Sequence, residues 1–134
     1  MLPGRLDEML KAAADPTRLR LLNLLRLGSI CVCDLQAVLR IPQTTVSRHL
    51  AALRHARLVS DRRRGARIIY SFTPVATTQG VALREFLDRC CPEDAVMRAD
   101  TVRFREAVAE GTCRLETAES EAGAPEGQLE VNPA

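Results

Sequence analysis

Residues 31–56 read CVCDLQAVLRIPQTTVSRHLAALRHA and contain two short helical patterns with a proline between them. In each pattern leucine and valine recur every three or four residues, which is the spacing of an amphipathic helix. The first pattern covers residues 33–39 and the second runs from Gln43 to about Ala56. Pro42 separates them, because the residue before a proline avoids helical backbone angles. Two helices joined by so short a turn predict a helix-turn-helix.

The flanking sequence extends this motif into a winged helix. Two more helices are predicted upstream, one around residues 5–13 and one that begins after the N-cap Asp15 and ends at Gly28. Downstream, residues 58–61 and 67–72 have the composition of strands, and the arginine-rich segment between them contains a turn glycine. We therefore predict a mainly α fold with a small β-hairpin, that is, a winged helix-turn-helix.

Two further helical segments follow the hairpin. Residues 75–90 are predicted to form one, and residues 94–110 another with Val96, Val102 and Val108 as its apolar positions. The sequence after Glu116 has no periodicity and is predicted to be disordered. These boundaries predict a winged helix-turn-helix domain over 1–92, a helical extension over 93–116 and a disordered tail over 117–134.

The charge is divided unevenly along the chain. The net charge of the 134 residues is only +2, but residues 1–80 hold 13 Lys or Arg against 5 Asp or Glu, and residues 81–134 hold 6 against 12. A basic first part beside an acidic end indicates that the first part meets a polyanion.

The N-terminus has no long apolar stretch typical of a signal peptide, and no apolar run approaches the roughly 18 residues that span a bilayer. We therefore expect a cytoplasmic protein without a membrane partner. In that reducing compartment, the five cysteines are not expected to form a disulfide framework, and their odd number argues the same way. Neither a C-x-x-C motif nor a cysteine followed by arginine after five residues is present, so we predict no enzymatic activity and no organic cofactor.

The second helix of the motif and the hairpin have the chemistry of a DNA-binding surface. The first turn of a recognition helix must offer short hydrogen-bonding side chains that reach base edges in the major groove. Gln43 is suited to adenine, Arg48 to guanine or phosphate, and the hairpin arginines to phosphates or the minor groove. The predicted DNA-contacting residues are Gln43, Thr44, Thr45, Ser47, Arg48, His49, Arg54, Arg62, Arg63, Arg64 and Arg67.

From about Leu10 to Phe72 the sequence resembles the ArsR/SmtB-type metal-responsive repressors, and within them the arsenic-sensing branch. The pieces that carry the resemblance are CVCDL, SRHLAALR and DRRRGARIIY. The resemblance implies a homodimer that binds an inverted repeat in double-stranded operator DNA and leaves it when a toxic metal ion or metalloid binds. The first helix and the helix over residues 75–91 are the expected dimer interface.

Cys31 and Cys33 are the preferred ligands for such an ion. They lie where the third helix begins, near unpaired backbone N–H groups that favour thiolates. Residues two apart on a regular helix point to different sides, so we expect chelation to distort the first turn and displace the recognition helix. Trivalent arsenic or antimony, As(III) or Sb(III), accepts a pyramid of three thiolates, whereas structural zinc usually takes four ligands.

The sequence allows three arrangements for the remaining ligands of the ion. The family's arsenic-binding pattern often has a third cysteine where this chain has Gln36. One arrangement uses Cys31 and Cys33 with water or a distant thiol, a second uses Cys90, Cys91 and Cys113, and a third uses both sets. The predicted function is an arsenite- or antimonite-responsive repressor. The alternatives are a thiol-based redox sensor and a sensor of another soft metal, such as cadmium or lead.

Overall fold

The computed structural model describes residues 5–73 and 77–117. Within these ranges the chain forms six α-helices and three strands in the order expected for a winged helix. The elements are α1 (Leu6–Ala13), α2 (Pro16–Leu25), β1 (Ile30–Cys31), α3 (Val32–Leu39), α4 (Gln43–His55), β2 (Val59–Arg64), β3 (Arg67–Phe72), α5 (Thr78–Cys90) and α6 (Ala95–Glu110), with a 3-10 turn (Cys91–Glu93) before α6. The mainly α winged helix-turn-helix predicted from the sequence is confirmed. The start of the helix predicted from residue 75 and the tail predicted from residue 117 fall largely outside the described residues.

The helix-turn-helix forms as its pattern predicts. Arg40 ends α3 in the left-handed region, with φ +59°, and Pro42 is the N-cap residue of α4. Val46, Leu50 and Leu53, the predicted stripe of α4, are fully buried. They join a core that includes most of the leucines of α2, and this burial fixes which side of α4 faces solvent.

The sheet is larger than the predicted hairpin. Its strand order is β1-β3-β2, with antiparallel pairing throughout. β1 is the added strand, in which Cys31 pairs with Ile69 of β3. The prediction of a polar loop over residues 62–66 was too long, because β2 continues to Arg64 and leaves only a tight turn in which Gly65 adopts φ +64°. The arginines stay in strand geometry because an edge strand can direct charged side chains to solvent.

Helix α6 packs on the core through a face that its hydrophobic pattern does not indicate. Phe104 is buried, and so is Asp100, which receives two hydrogen bonds from Arg20 of α2, at 2.7 and 2.9 Å. Of the three expected apolar positions of this helix, Val108 packs against the core, whereas the expectation was wrong for Val96 and Val102, because both are at least half exposed. The ion pair with α2 places a carboxylate on the buried face instead.

After α6 the chain turns back to the sheet. Gly111 ends the helix with φ +85°, and residues 112–117, here called the C-terminal hook, run beside the start of β1. The Ser29 N–H donates to the Glu116 carbonyl at 2.7 Å, and the Glu116 N–H donates to the Ser29 carbonyl at 3.0 Å. A Cβ at Gly28 would lie 2.7 Å from that same Glu116 carbonyl, so this close approach requires glycine. Among the described helices, none has the length and apolar character needed to cross a membrane.

Candidate thiol site and nucleic-acid interface

The predicted recognition helix presents polar side chains at its N-terminal end. Gln43, Thr44 and Arg48 are exposed, and Thr45 and Ser47 are half-buried. The polar face of α4 is thus free to enter a groove of DNA, because its apolar face is held in the core.

His49, also predicted to contact DNA, makes an internal contact. Its Nδ1 accepts a hydrogen bond from Arg18 of α2 at 3.0 Å and lies 3.9 Å from the Asp15 carboxylate. Desolvation by burial lowers the pKa of this imidazole. A neutral His49 that accepts from Arg18 ties α4 to α2, and its contact with DNA stays a prediction.

Three arginines of the basic hairpin lie close to an acidic side chain. The carboxylate of Glu116 in the hook, itself only 9% exposed, lies 2.7 Å from Arg62, 3.5 Å from Arg64 and 3.8 Å from Arg67. Sequence reasoning missed Glu116. The acidic balance of the C-terminal part was the available signal, but it did not indicate which carboxylate reaches the hairpin.

Two other arginines of the predicted interface have exposed side chains. Arg54 donates to Asp61 at 2.9 Å across the junction of α4 and β2. Arg63 extends from the tip of the hairpin, where its guanidinium approaches the Gly65 carbonyl at 3.4 Å. Exposed ion pairs of this kind contribute little to stability, so Arg54 can exchange its carboxylate for a phosphate at low cost.

The Cys31 and Cys33 sulfur atoms lie 2.9 Å apart. The expectation that they point to different sides of a helix was wrong. Cys31 is the N-cap residue of α3 with extended backbone angles, φ −77° and ψ 155°, whereas Cys33 already lies in the first helical turn. Because the backbone changes conformation between them, the two side chains converge without any distortion of the helix.

An acidic side chain completes a compact cluster at this point. The ligand atoms of Cys31, Cys33 and Asp34 all lie within 4.8 Å of one another. Asp34 also accepts a hydrogen bond at 2.9 Å from the backbone N–H of Arg114 in the hook. Arg67 of β3 borders the same cavity as Cys33, and Cys31 pairs with Ile69 of β3, so both the hook and the hairpin contact the cluster.

The thiol of Cys33 is held in its protonated form. The hydrogen bond with Cys31, desolvation and the negative charge of Cys31 raise the pKa of Cys33. The expectation that the helix N-terminus favours a thiolate is therefore wrong for Cys33, because its nearest neighbour is another sulfur and an aspartate follows it. A ligand of this site must displace thiol protons.

Cys113 of the hook adjoins this cluster. Its side chain is buried, and the residue that follows it, Arg114, donates its backbone N–H to Asp34 of the cluster. Desolvation, followed by the charge of Asp34, raises the pKa of Cys113 to about 11. The thiol also lines an open cavity of about 290 Å³ between α3 and α6.

The other cysteine pair lies elsewhere. Cys90 is exposed at the end of α5, whereas Cys91 is buried in the 3-10 turn, where desolvation raises its pKa and Arg26 is its nearest cation. The structure thus brings Cys113 to the Cys31 and Cys33 pair and not to Cys90 and Cys91, with which the second predicted arrangement grouped it.

The thiol cluster and the recognition helix share a cavity. This open cavity of about 210 Å³ is bordered by Cys33 and Gln36 of α3, Gln43 and Ser47 of α4, and Arg67 of β3. A small ion or molecule can reach Cys33 from the same cleft that separates the predicted recognition helix from the hairpin.

The fold and the polar face of α4 define a winged helix-turn-helix protein of the DNA-binding type. A family profile described as "Bacterial regulatory protein, arsR family" matches residues 15–61. The chain is 43% identical over 67 residues to the transcriptional repressor SmtB homolog of Synechocystis sp., covering 50% of this chain and 51% of that protein. It is 44% identical over 68 residues to the arsenical resistance operon repressor of Escherichia coli, covering 50% of this chain and 58% of that protein.

A solved structure supports the same family assignment, and this chain covers more of its length. HlyU from Vibrio cholerae superposes with a TM-score of 0.56 and 33% sequence identity, covering 61% of this chain and 86% of that one. This chain belongs to the arsR family of bacterial regulatory proteins. It spans only about half the length of the two curated relatives named above. Membership of a family of regulatory proteins agrees with the prediction that the chain is not an enzyme.

Proposed function

We propose that this protein is a homodimeric repressor that binds operator DNA and is released when arsenite or antimonite binds the thiols of Cys31 and Cys33. The observation that carries the proposal is the convergence of the two sulfur atoms to 2.9 Å at the junction of β1 and α3. That junction borders the same cavity as Gln43 and Ser47 of the predicted recognition helix. The arsenical resistance repressor of Escherichia coli, to which the chain is similar, favours arsenic as the inducer.

DNA binding would use the two elements that border the shared cavity. The N-terminal end of α4 offers Gln43, Thr44 and Arg48 to base edges and phosphates of the major groove. The hairpin arginines would contact the flanking backbone, which adds affinity without sequence preference. If the dimer neutralises about six phosphates, the logarithm of affinity falls with the logarithm of salt concentration at a slope near −5.

Dimerisation is supported by apolar side chains that this chain leaves uncovered. Leu6 and Leu10 of α1 are 55% and 52% exposed, and Phe86 of α5 is 58% exposed. Large apolar side chains rarely stay exposed in groups unless another surface covers them. A second copy that covers α1 and α5 would also supply the two-fold symmetry that an inverted repeat requires.

The reaction of thiols with arsenite needs nothing beyond the two reactants. When As(OH)₃ condenses with two thiols, two As–S bonds form and two As–O bonds break, and each thiol proton leaves with a hydroxide as water. Arsenic keeps its oxidation state, so no oxidant or reductant is needed. Soft thiolates prefer soft ions, and As(III) accepts few ligands in a pyramid, so this donor set fits arsenic better than a four-ligand zinc site.

Ion binding at this junction would reach the DNA-reading surface by short paths. Cys31 belongs to β1, which pairs with β3 of the hairpin, and Cys33 belongs to α3, which supports α4. Any change at the junction therefore shifts the hairpin and the recognition helix relative to each other. A coupling free energy of about 1–3 kcal/mol would weaken operator binding roughly 5- to 150-fold.

A redox switch is the second candidate, and the same sulfur separation favours it. Peroxide would join the two thiols into a disulfide, with the two thiol protons leaving in two water molecules. This candidate predicts release by peroxide and reversal by a reductant. Full release by arsenite in excess reductant would exclude it as the main response.

The test is a titration of the labelled operator complex with arsenite, antimonite, cadmium and zinc in excess reductant. We expect arsenite and antimonite to release the wild-type protein and the Cys90→Ser/Cys91→Ser control. The Cys31→Ser/Cys33→Ser protein should bind the operator normally and show no release. An undiminished response of that double variant would refute the proposed site, and failure of the wild-type protein to bind its own promoter would refute the proposed function.

A further inference from the structure

Resting on the proposed function, we infer that Cys113 supplies the third thiolate of the inducer site, so that the bound metalloid joins α3 to the C-terminal hook. The sequence pattern that would place a third cysteine on α3 has Gln36 at that position. The fold brings the segment that carries Cys113 beside the first turn of α3 from the other end of the described chain.

The hook is held on both sides of Cys113. The Arg114 N–H donates to the Asp34 carboxylate at 2.9 Å, and Glu116 exchanges two backbone hydrogen bonds with Ser29. Ser29 directly precedes β1, and Asp34 directly follows Cys33. These contacts fix the hook against the same few residues that carry the other two thiols.

Cys113 lies at the edge of the core, next to the acidic end of the thiol cluster. Its side chain is buried and borders an open cavity between α3 and α6. Arg114, the next residue, donates its backbone N–H at 2.9 Å to Asp34, and Asp34 forms one cluster with Cys31 and Cys33. The reaction balances as before: As(OH)₃ and three thiols give three As–S bonds and three water molecules, with no change in oxidation state.

Ligation by Cys113 requires a small movement. The Cys113 sulfur lies outside the 4.8 Å cluster formed by Cys31, Cys33 and Asp34, so the ion draws the hook toward α3. Glu116, three residues further along, moves with it. Because its carboxylate holds Arg62, Arg64 and Arg67, this movement changes how the hairpin presents those cations to DNA.

X-ray absorption at the arsenic edge, on full-length protein loaded with one arsenite per chain, counts the ligands directly. We expect three sulfur neighbours in the wild-type protein, and two sulfurs with one oxygen in Cys113→Ser. The exposed-thiol control Cys90→Ser should keep three. Two sulfurs in the wild-type protein, or three in Cys113→Ser, would overturn the inference even if one variant were to fold poorly.

Operator release gives the matching functional measurement. Cys113→Ser should need on the order of tenfold more arsenite for half-release, in keeping with the usual size of such couplings. A monosubstituted trivalent arsenical takes only two thiolates and should release this variant as readily as the wild-type protein. If Cys31→Ser/Cys33→Ser still responds to arsenite, the proposed function fails. If that double variant is silent while Cys113→Ser matches the wild-type protein, only the inference about Cys113 fails.

Discussion

The two cysteine pairs of this chain differ in how the backbone runs between their members. Cys31 and Cys33 are separated by one residue, yet their sulfurs lie 2.9 Å apart because the chain passes there from an extended to a helical conformation. Cys90 and Cys91 are adjacent, yet one is exposed and the other is buried where α5 gives way to a 3-10 turn. A change of backbone conformation, more than the spacing in sequence, decides whether two thiols converge.

The pairs also differ in what surrounds them. The pair of Cys31 and Cys33 contacts the hook, the hairpin and α3, the helix that supports the predicted recognition helix α4. The second ends the helix that carries Phe86, on the surface where we propose that a second copy binds. If the comparison holds, variants on α5 should affect DNA affinity through the dimer, and variants near α3 should affect the response to the inducer.

The largest expected effect comes from Phe86→Glu. A charge on the proposed interface should produce a monomer by light scattering, and operator affinity should fall on the order of 100-fold, because two linked half-site contacts bind far more tightly than one. Arsenite binding should persist, since the thiol site lies within one chain. Val102→Glu, on the exposed side of α6, is the control and should change neither property. A Phe86→Glu protein that stays dimeric would remove α5 from the interface.

The next largest effect is expected from a rescue by Gln36→Cys. Gln36 lies three residues after Cys33 and borders the same cavity, so a cysteine there shares a helix face with Cys33. In the Cys113→Ser background, Gln36→Cys should recover most of the lost arsenite sensitivity, a gain on the order of tenfold. Val102→Cys, at an exposed position of α6, is the matched control. If Gln36→Cys gives no gain over that control, the missing third thiolate does not bind the arsenic beside α3.

Glu116→Gln tests the link from the thiol site to the hairpin. Removing the carboxylate charge releases three arginines from its attraction, so operator affinity should rise roughly two- to fivefold, the scale of a partly exposed ion pair. The salt dependence should become steeper, by about one unit of slope per additional phosphate contact. Glu110→Gln removes the same charge from the exposed end of α6 and should alter neither value. Weaker binding with an unchanged salt slope would mean that Glu116 holds the hairpin in its DNA-binding shape.

The smallest effect concerns thiol reactivity at neutral pH. The neighbouring Cys31 raises the pKa of Cys33, so less Cys33 thiolate is present at pH 7 than in an isolated thiol. Cys31→Ala removes this cause and lowers the pKa, which should speed alkylation of Cys33 roughly two- to fivefold. Mass spectrometry with exposed Cys90 as the internal reference measures the change. An equal or slower rate in the variant would contradict the assigned protonation state.

Sequence reasoning succeeded where the signal was local. The α3 and α4 patterns, the Asp15 cap and the strand composition of residues 67–72 are all set by neighbours along the chain, and each element formed as predicted. The polar surface of α4 followed from the same periodicity, since a buried stripe determines the exposed face.

The failures share one physical cause, which is contact between distant parts of the chain. β1 exists because Ile30 and Cys31 pair with β3, and this pairing in turn gives Cys31 its extended geometry. The buried face of α6 depends on an ion pair between Asp100 and Arg20, and the hook depends on Ser29. No local pattern in the sequence predicts that Glu116 contacts the hairpin or that Cys113 lies beside α3.

The central claim is that the thiols at the start of α3 bind the inducer and thereby release DNA. A single titration of arsenite into the operator complex, recording arsenic–thiolate absorbance and operator fluorescence anisotropy in the same cuvette, tests it directly. We predict that the two signals change together, saturate at one arsenic per chain, and both vanish in Cys31→Ser/Cys33→Ser. Absorbance that saturates while the operator stays bound, or release without absorbance, would contradict it.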